Sequence, residues 1–308
     1  MLVYFPFIFF LILTFYFWKR KGYIDVGVFL FAEYALTSFF AILCVHLNLL
    51  GDGGIHFTQT TLQLNLIPTL LYCIFVSLVI FPFTKLNIKE VDFIFVPNER
   101  VFNLLNYFLF AVAILNVYVV IDNVISVLQE GDFLSVRNAH YAGETDLEKM
   151  ESLPKILGYF YYFNRSTLLA LPCFFYSICF LKKHWIYNCL LLMTALSLPL
   201  AGIQMADRTE FIFFAQTFIL SFLLFRPFIK DKQKKFLKKL ITPLCVFFVL
   251  YLSAVTIARF GEREANASGG AIQYAGQGYL NFCYFYEFTK EESVFPHRMF
   301  PLITYIIS

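Results

Sequence analysis

Residues 211–239 read FIFFAQTFILSFLLFRPFIKDKQKKFLKK. An apolar run from Phe211 to Phe228 meets KDKQKKFLKK, Lys230 to Lys239, the strongest basic cluster in the chain. About 20 apolar residues in a helix cross the ~30 Å hydrocarbon core of a bilayer. Lys and Arg collect in the loops on the cytoplasmic side of such spans. The stretch therefore reads as one transmembrane helix followed by a topology anchor. The cluster is short and pinned between two apolar runs, which argues against a nucleic-acid surface. Composition extends the reading to the whole chain. Its 308 residues are 59% hydrophobic, 20% aromatic and 15% charged, with 41 phenylalanines and a mean hydropathy of +0.69. Soluble domains average about 25% charged residues and about half apolar ones.

Seven further runs surround this one: Leu2–Trp18, Val26–Leu50, Leu66–Phe83, Val101–Ile125, from Pro154 to the lysines at 182–183, Trp185–Gly202, and Leu240–Ala258. The first is followed, not preceded, by Lys19, Arg20 and Lys21, so it reads as an uncleaved helix and not as a signal peptide. The fold expected is an all-α polytopic integral membrane protein of about eight transmembrane helices, one membrane domain over 1–308. FPLITYIIS, from Phe300, reads as a partial ninth helix. Alternating sides from an extracytoplasmic N-terminus puts the basic loops 19–21, 84–100, 182–184 and 226–239 on one face. The acidic or uncharged loops 51–65, 126–153 and 204–210 fall on the other, together with the segment 259–299. The seven cysteines are scattered without a CxxC pair, six of them inside apolar runs, as buried thiols are. No metal signature is present, and no cofactor is expected.

Polar chemistry is confined to the outer segments. These carry Arg137, Arg165, Arg208, Arg259, Arg263 and Arg298, on the side where the topology rule depletes positive charge. Arginine presents a planar fork of donors suited to bidentate binding of phosphate. Several converging at a membrane surface suit a lipid-linked diphosphate. The bland alternative is that each snorkels to headgroups or pairs with a local acid. Arg165 lies about ten residues into its run, where an isolated charge costs about 2.5–3.5 kcal/mol. It needs a polar cavity or a partner such as Asp122. Arg208 sits in the short turn ADRTE beside Asp207 and Glu210; the bland reading there is a solvated turn. ARFGEREANASGGAIQYAGQGYLNF, from Ala258 to Phe282, pairs Arg259 and Arg263 four residues apart with Glu262 between them. NASGG is expected to break that helix and open a loop. Tyr274, Gln277, Tyr279 and Asn281 follow, a mixture of rings and amides that suits sugars, although amphipathic interface helices look similar. No Walker, GxSxG or HExxH pattern occurs, and the five histidines share no motif.

Arg208-Thr209-Glu210, followed by Arg259-Phe260, Ser268 and Tyr274-x-Gly276-Gln277-x-x-x-Asn281-Phe282, resembles the Wzy-type O-antigen and capsular repeat-unit polymerases of bacteria. GDFLSVRNAHY, holding Arg137, is similar to that family's outer-loop arginine segment. The specific motifs lie within 204–282, while the layout of spans matches more broadly. Members of the family continue through further spans where this chain stops at Ser308. The resemblance implies a glycosyltransferase that needs neither metal nor nucleotide sugar and works at the outer face of the bacterial cytoplasmic membrane. It would move a growing glycan from undecaprenyl diphosphate to the incoming lipid-linked repeat unit, so donor and acceptor are both partners, with a flippase and a chain-length regulator beside them.

Under that resemblance Arg208 and Arg259 engage the diphosphate or reducing-end sugar, and Glu210 or Glu262 takes the acceptor proton. Arg137, Arg165 and Arg263 add to substrate binding, and Tyr274, Gln277 and Asn281 line the glycan. An O-antigen ligase shares the chemistry with another acceptor. A lipid-linked oligosaccharide flippase would instead carry its basic residues along a midplane cavity. The topology has a direct check. Cysteines introduced singly at 230–239 should resist an impermeant thiol reagent added outside intact cells, and those at 262–278 should react; labelling of the lysine segment from outside reverses the orientation.

Overall fold

The computed structural model describes residues 2–50, 55–58, 62–86, 98–131, 133, 135–136, 154, 157, 161, 163, 164–181, 183–260 and 267–291. Helices account for the regular structure, and no strand occurs among the described residues. Among the described residues, eight helical segments are long and apolar enough to cross a membrane, matching the eight expected runs. Many large apolar side chains on them face outward, among them Ile12 at 61%, Val79 at 70% and Leu104 at 68% exposure. Apolar surface spread along whole helices in this way needs hydrocarbon around it. The chain is an all-α polytopic membrane protein. It divides into two compact units, one made of 1–86 with 263–308 and the other of 87–262.

The first unit contains α1 (Phe5–Lys21), α2 (Val26–His46), α3 (Leu66–Lys85) and the last described helix, residues 267–291. Gly22 ends α1 in the left-handed conformation, its N–H donating to the Trp18 carbonyl. Asp25 then starts α2 by accepting from the Val28 N–H at 2.9 Å and is ion-paired with Lys21. Phe10, Phe31, Tyr72 and Cys73 fill the core beneath, with Phe17 and Phe31 stacked nearly parallel at 5.6 Å.

The second unit contains α4 (Glu99–Glu130), α5 (Ala170–Tyr176), α6 (Trp185–Gln204), α7 (Thr209–Phe225) and α8 (Asp231–Phe260). A 3-10 turn, Asn164–Leu169, precedes α5, and a π turn, Ser177–Leu181, follows it. Asn98 caps α4 through the Arg100 and Val101 N–H groups. The helix passes the expected end at Ile125 and stops at Gly131, whose left-handed backbone lets its N–H reach the Val127 carbonyl at 3.1 Å. Asn116 and Asn106 tie α4 to α6, donating to the Ser197 carbonyl and the Tyr187 hydroxyl at 2.7 Å each.

Two expected loops turn out to be helical. The lysine cluster forms the first turns of α8, because Lys and Gln are good helix formers and Gln233 supplies one half of a capping box by accepting from the Lys230 N–H at 2.7 Å. The NASGG segment, expected to break the helix and open a loop, is itself helical from Ala267, where α9 (Ala267–Glu291) starts. α9 lies against α2 and α3: Gln273 donates to the Leu49 carbonyl at 2.9 Å, and the hydroxyls of Tyr279 and Thr69 bond at 2.8 Å. A methyl group on Gly276 would stand 2.7 Å from the Phe40 carbonyl, so the backbones meet as closely as only glycine allows. Gly278 faces open space. Gly276→Ala should therefore cost about 1–3 kcal/mol, while Gly278→Ala should gain about 0.5–1 kcal/mol. Thermal unfolding in detergent reads both; equal midpoints would remove the packing of α9 on α2.

Candidate functional site

The junction of α6 and α7 holds two buried charged side chains, Arg208 and Glu210. Its backbone is set first. Ala206 adopts a left-handed φ of +46°, its N–H reaching the Ile203 carbonyl at 3.0 Å while the Asp207 N–H reaches Gly202 at 2.8 Å. That pair of bonds is a Schellman stop for α6. Gly202 packs tightly here: a methyl group on it would stand 3.2 Å from the Asp207 carbonyl and from the Glu210 Cβ, so its neighbours would have to give way by a few tenths of an ångström. The Tyr251 hydroxyl of α8 donates to the Gly202 carbonyl at 3.4 Å, and its ring stacks on Phe211 at 4.4 Å.

Asp207 starts the next helix. Its Oδ1 accepts from the Thr209 N–H at 3.1 Å and the Thr209 hydroxyl at 2.9 Å, which commits this carboxylate to the turn. Arg208 occupies the N-cap position of α7 and is buried, at 8% exposure; Glu210, at 9%, is buried too. Two charged side chains this deep beside one turn are unusual, since burial of a charge is costly unless it is paired. Glu210 Oε1 accepts from Arg165 Nη2 at 3.0 Å. Its Oε2 is buried without a hydrogen-bond partner among the described residues. Arg165 is two-thirds exposed and lies 5.6 Å from the Phe213 ring centre.

Most of residues 154–163, the part of the run ahead of Arg165, lies outside the described residues; the ion pair of Arg165 is with Glu210, where Asp122 was the candidate partner. Gln204, not singled out in the sequence, ends α6 at 2% exposure with both side-chain amide atoms unpartnered among the described residues. The signal lies in GIQMADRTE: a glycine two residues before a glutamine, just ahead of the turn.

The remaining candidates lie on other elements or outside the described residues. Arg259 lies on α8, four residues past the buried Val255, with its side chain outside the described residues. Arg137, Glu262 and Arg263 also lie outside them. Tyr274, Gln277 and Asn281 belong to the other unit, where they are half-buried and spaced along one face of α9. Asn281 Oδ1 already accepts from the His56 N–H at 3.2 Å. Tyr279 goes into the core against Thr69, so it is no sugar contact.

Comparison with protein-family models, curated proteins and solved structures finds no match. The physical content of the junction is a buried carboxylate with one oxygen held by an exposed arginine, and a buried guanidinium two residues away. Arg165→Ala removes the ion pair that holds Oε1 of the buried Glu210 and should therefore lower stability by about 1–3 kcal/mol in a thermal melt; an unchanged midpoint would mean that Glu210 does not depend on the pair.

Proposed function

We propose that this chain is a membrane glycosyltransferase that polymerises undecaprenyl-diphosphate-linked oligosaccharide repeat units into O-antigen or capsular polysaccharide. The observation that carries the reading is the α6–α7 junction, where buried Arg208 and Glu210 stand two residues apart and Glu210 leaves one oxygen unengaged. The likeness of Arg208-Thr209-Glu210 and the later Arg-Phe and Tyr-x-Gly-Gln motifs to the Wzy-type polymerases supports it. Under this proposal the site faces the outer side of a bacterial cytoplasmic membrane.

The chemistry required is small. The hydroxyl of the acceptor sugar attacks the anomeric carbon of the donor glycan as the bond from that carbon to the diphosphate oxygen breaks. The diphosphate leaves with the electron pair, and the hydroxyl proton passes to a base. Arg208 offers a permanent cation with several donors to the departing diphosphate. Glu210 Oε2 accepts the hydroxyl proton, while Arg165 on Oε1 fixes the carboxylate's orientation. Arg165 is a positioning residue in this scheme. Burial strengthens both effects, because the local dielectric is low where the charges act.

Arg208→Lys keeps the charge but loses the fork, and Glu210→Gln keeps the shape but loses the base. In vesicles supplied only with lipid-linked repeat units, each variant should lower polymer formation on the order of 10²-fold at unchanged protein level. Normal ladders of product from both variants would sink the assignment. A parent protein that makes no ladder from these units as both donor and acceptor would favour a ligase.

A further inference from the structure

The opposite end of α6 from Arg208 and Glu210, roughly 30 Å along the 20-residue helix, carries a second polar feature that the proposed reaction does not use. A cleft of about 330 Å³ lies there, lined by Ile178, Trp185, Asn188, Gln233 and Phe236 together with Lys183 and Lys232. At ~30 Å³ per water molecule it has room for about ten, the size of a phospholipid headgroup.

The walls are built. The π turn Ser177–Leu181 frees the Ile178 carbonyl, and Gln233 Nε2 donates to it at 2.6 Å while Oε1 of the same side chain caps α8. Gln233 therefore locks the start of α8 to the turn after α5. Lys183 donates to Glu99 at 2.6 Å, with two N–H donors left over. Lys232 enters none of the ion pairs among the described residues. The cleft also sits at the N-terminal ends of α6 and α8, where helix dipoles favour an anion.

Asn188 supplies the independent observation. It is 7% exposed; its Nδ2 donates to the Lys183 carbonyl at 3.3 Å, and its Oδ1 has no hydrogen-bond partner among the described residues. An acceptor in a basic cleft asks for a ligand that bears a hydroxyl as well as negative charge. The rim asks for acyl chains, since Trp185 and Ile186 are 62% and 50% exposed and Phe236 is 37% exposed. Tryptophan concentrates at the headgroup level of membranes.

We propose that this cleft binds the headgroup of an anionic, hydroxyl-bearing phospholipid, with the phosphate at Lys183 and Lys232 and a headgroup hydroxyl on Asn188 Oδ1. The lipid then bridges the π turn after α5 with α6 and α8 at the lysine-rich end of the unit, much as polybasic segments hold acidic leaflets. A zwitterionic headgroup lacks the net charge, and a free phosphate leaves the apolar rim bare.

The chain has two tryptophans, so Trp18→Phe leaves Trp185 as a reporter in the cleft wall. The full chain in neutral detergent is titrated with dihexanoyl phosphatidylglycerol, dihexanoyl phosphatidylcholine and inorganic phosphate, each followed by Trp185 emission. Phosphatidylglycerol should shift the emission saturably, and the other two should not at the same concentrations. Adding Lys183→Gln and Lys232→Gln should weaken the response at least tenfold. An equal response to phosphatidylcholine overturns the proposal without recourse to any variant. So does a full response to inorganic phosphate, which would make the ligand a free anion, and so does an undiminished response in a folded double variant.

Discussion

Inside hydrocarbon no water is present to take up a main-chain N–H or carbonyl, so every interruption of a helix must be closed by the protein itself. The second unit shows how strictly this holds. The π turn after α5 is closed by a side chain from α8, Gln233 on the Ile178 carbonyl. The end of α6 is closed by its own Schellman bonds and by the Tyr251 hydroxyl. Asn116 on α4 adds a bond to the Ser197 carbonyl of α6, beside the bond from Asn106 to the Tyr187 hydroxyl. Each closure ties two helices together, so satisfying the backbone also sets which helices are neighbours.

Small residues do the complementary work. Without a hydrophobic drive between helices in lipid, close approach and dispersion decide association. Gly27 lies against Thr84 and Gly276 against Phe40, each leaving no room for a methyl group, and Gly202 packs tightly against the Asp207–Phe211 segment. Aromatic rings fill the wider gaps: Phe175 packs on Phe218, Phe222 and Phe225 in one unit, and Tyr72 on Phe10, Tyr279 and Phe282 in the other. The large phenylalanine content is thus shared between interhelical cores and lipid-facing surface.

The same closure positions charge. Because Gly202 admits the returning chain, Glu210 comes down beside α6 and is buried, and Arg165 reaches it from the turn before α5. The lysine-rich end is organised by Gln233 in an analogous way. One unit therefore carries two polar ends separated by apolar helix, an arrangement that suits a protein meeting different chemistry at each surface of a bilayer.

The number of spans and many of their ends were decided by the sequence alone. Hydropathy over some twenty residues is a local quantity, and Gly22, Asp25, Asn98 and Gly131 act on backbone within a few residues of themselves. Arg208 and Glu210 were legible as candidates for the same reason, being charges in a short turn between apolar runs. Their burial was not, nor was the choice of Glu210 over Asp122 as partner of Arg165, because residues 45 positions apart meet only when helices pack. α9 teaches the same lesson. Its glycines and polar residues read locally as a loop, and only the fit of Gly276 against α2 and of Tyr279 against Thr69 makes it a packed helix. Propensity is worth about 1 kcal/mol for a glycine; close packing along a neighbouring helix outweighs it, and that information lies in the neighbour.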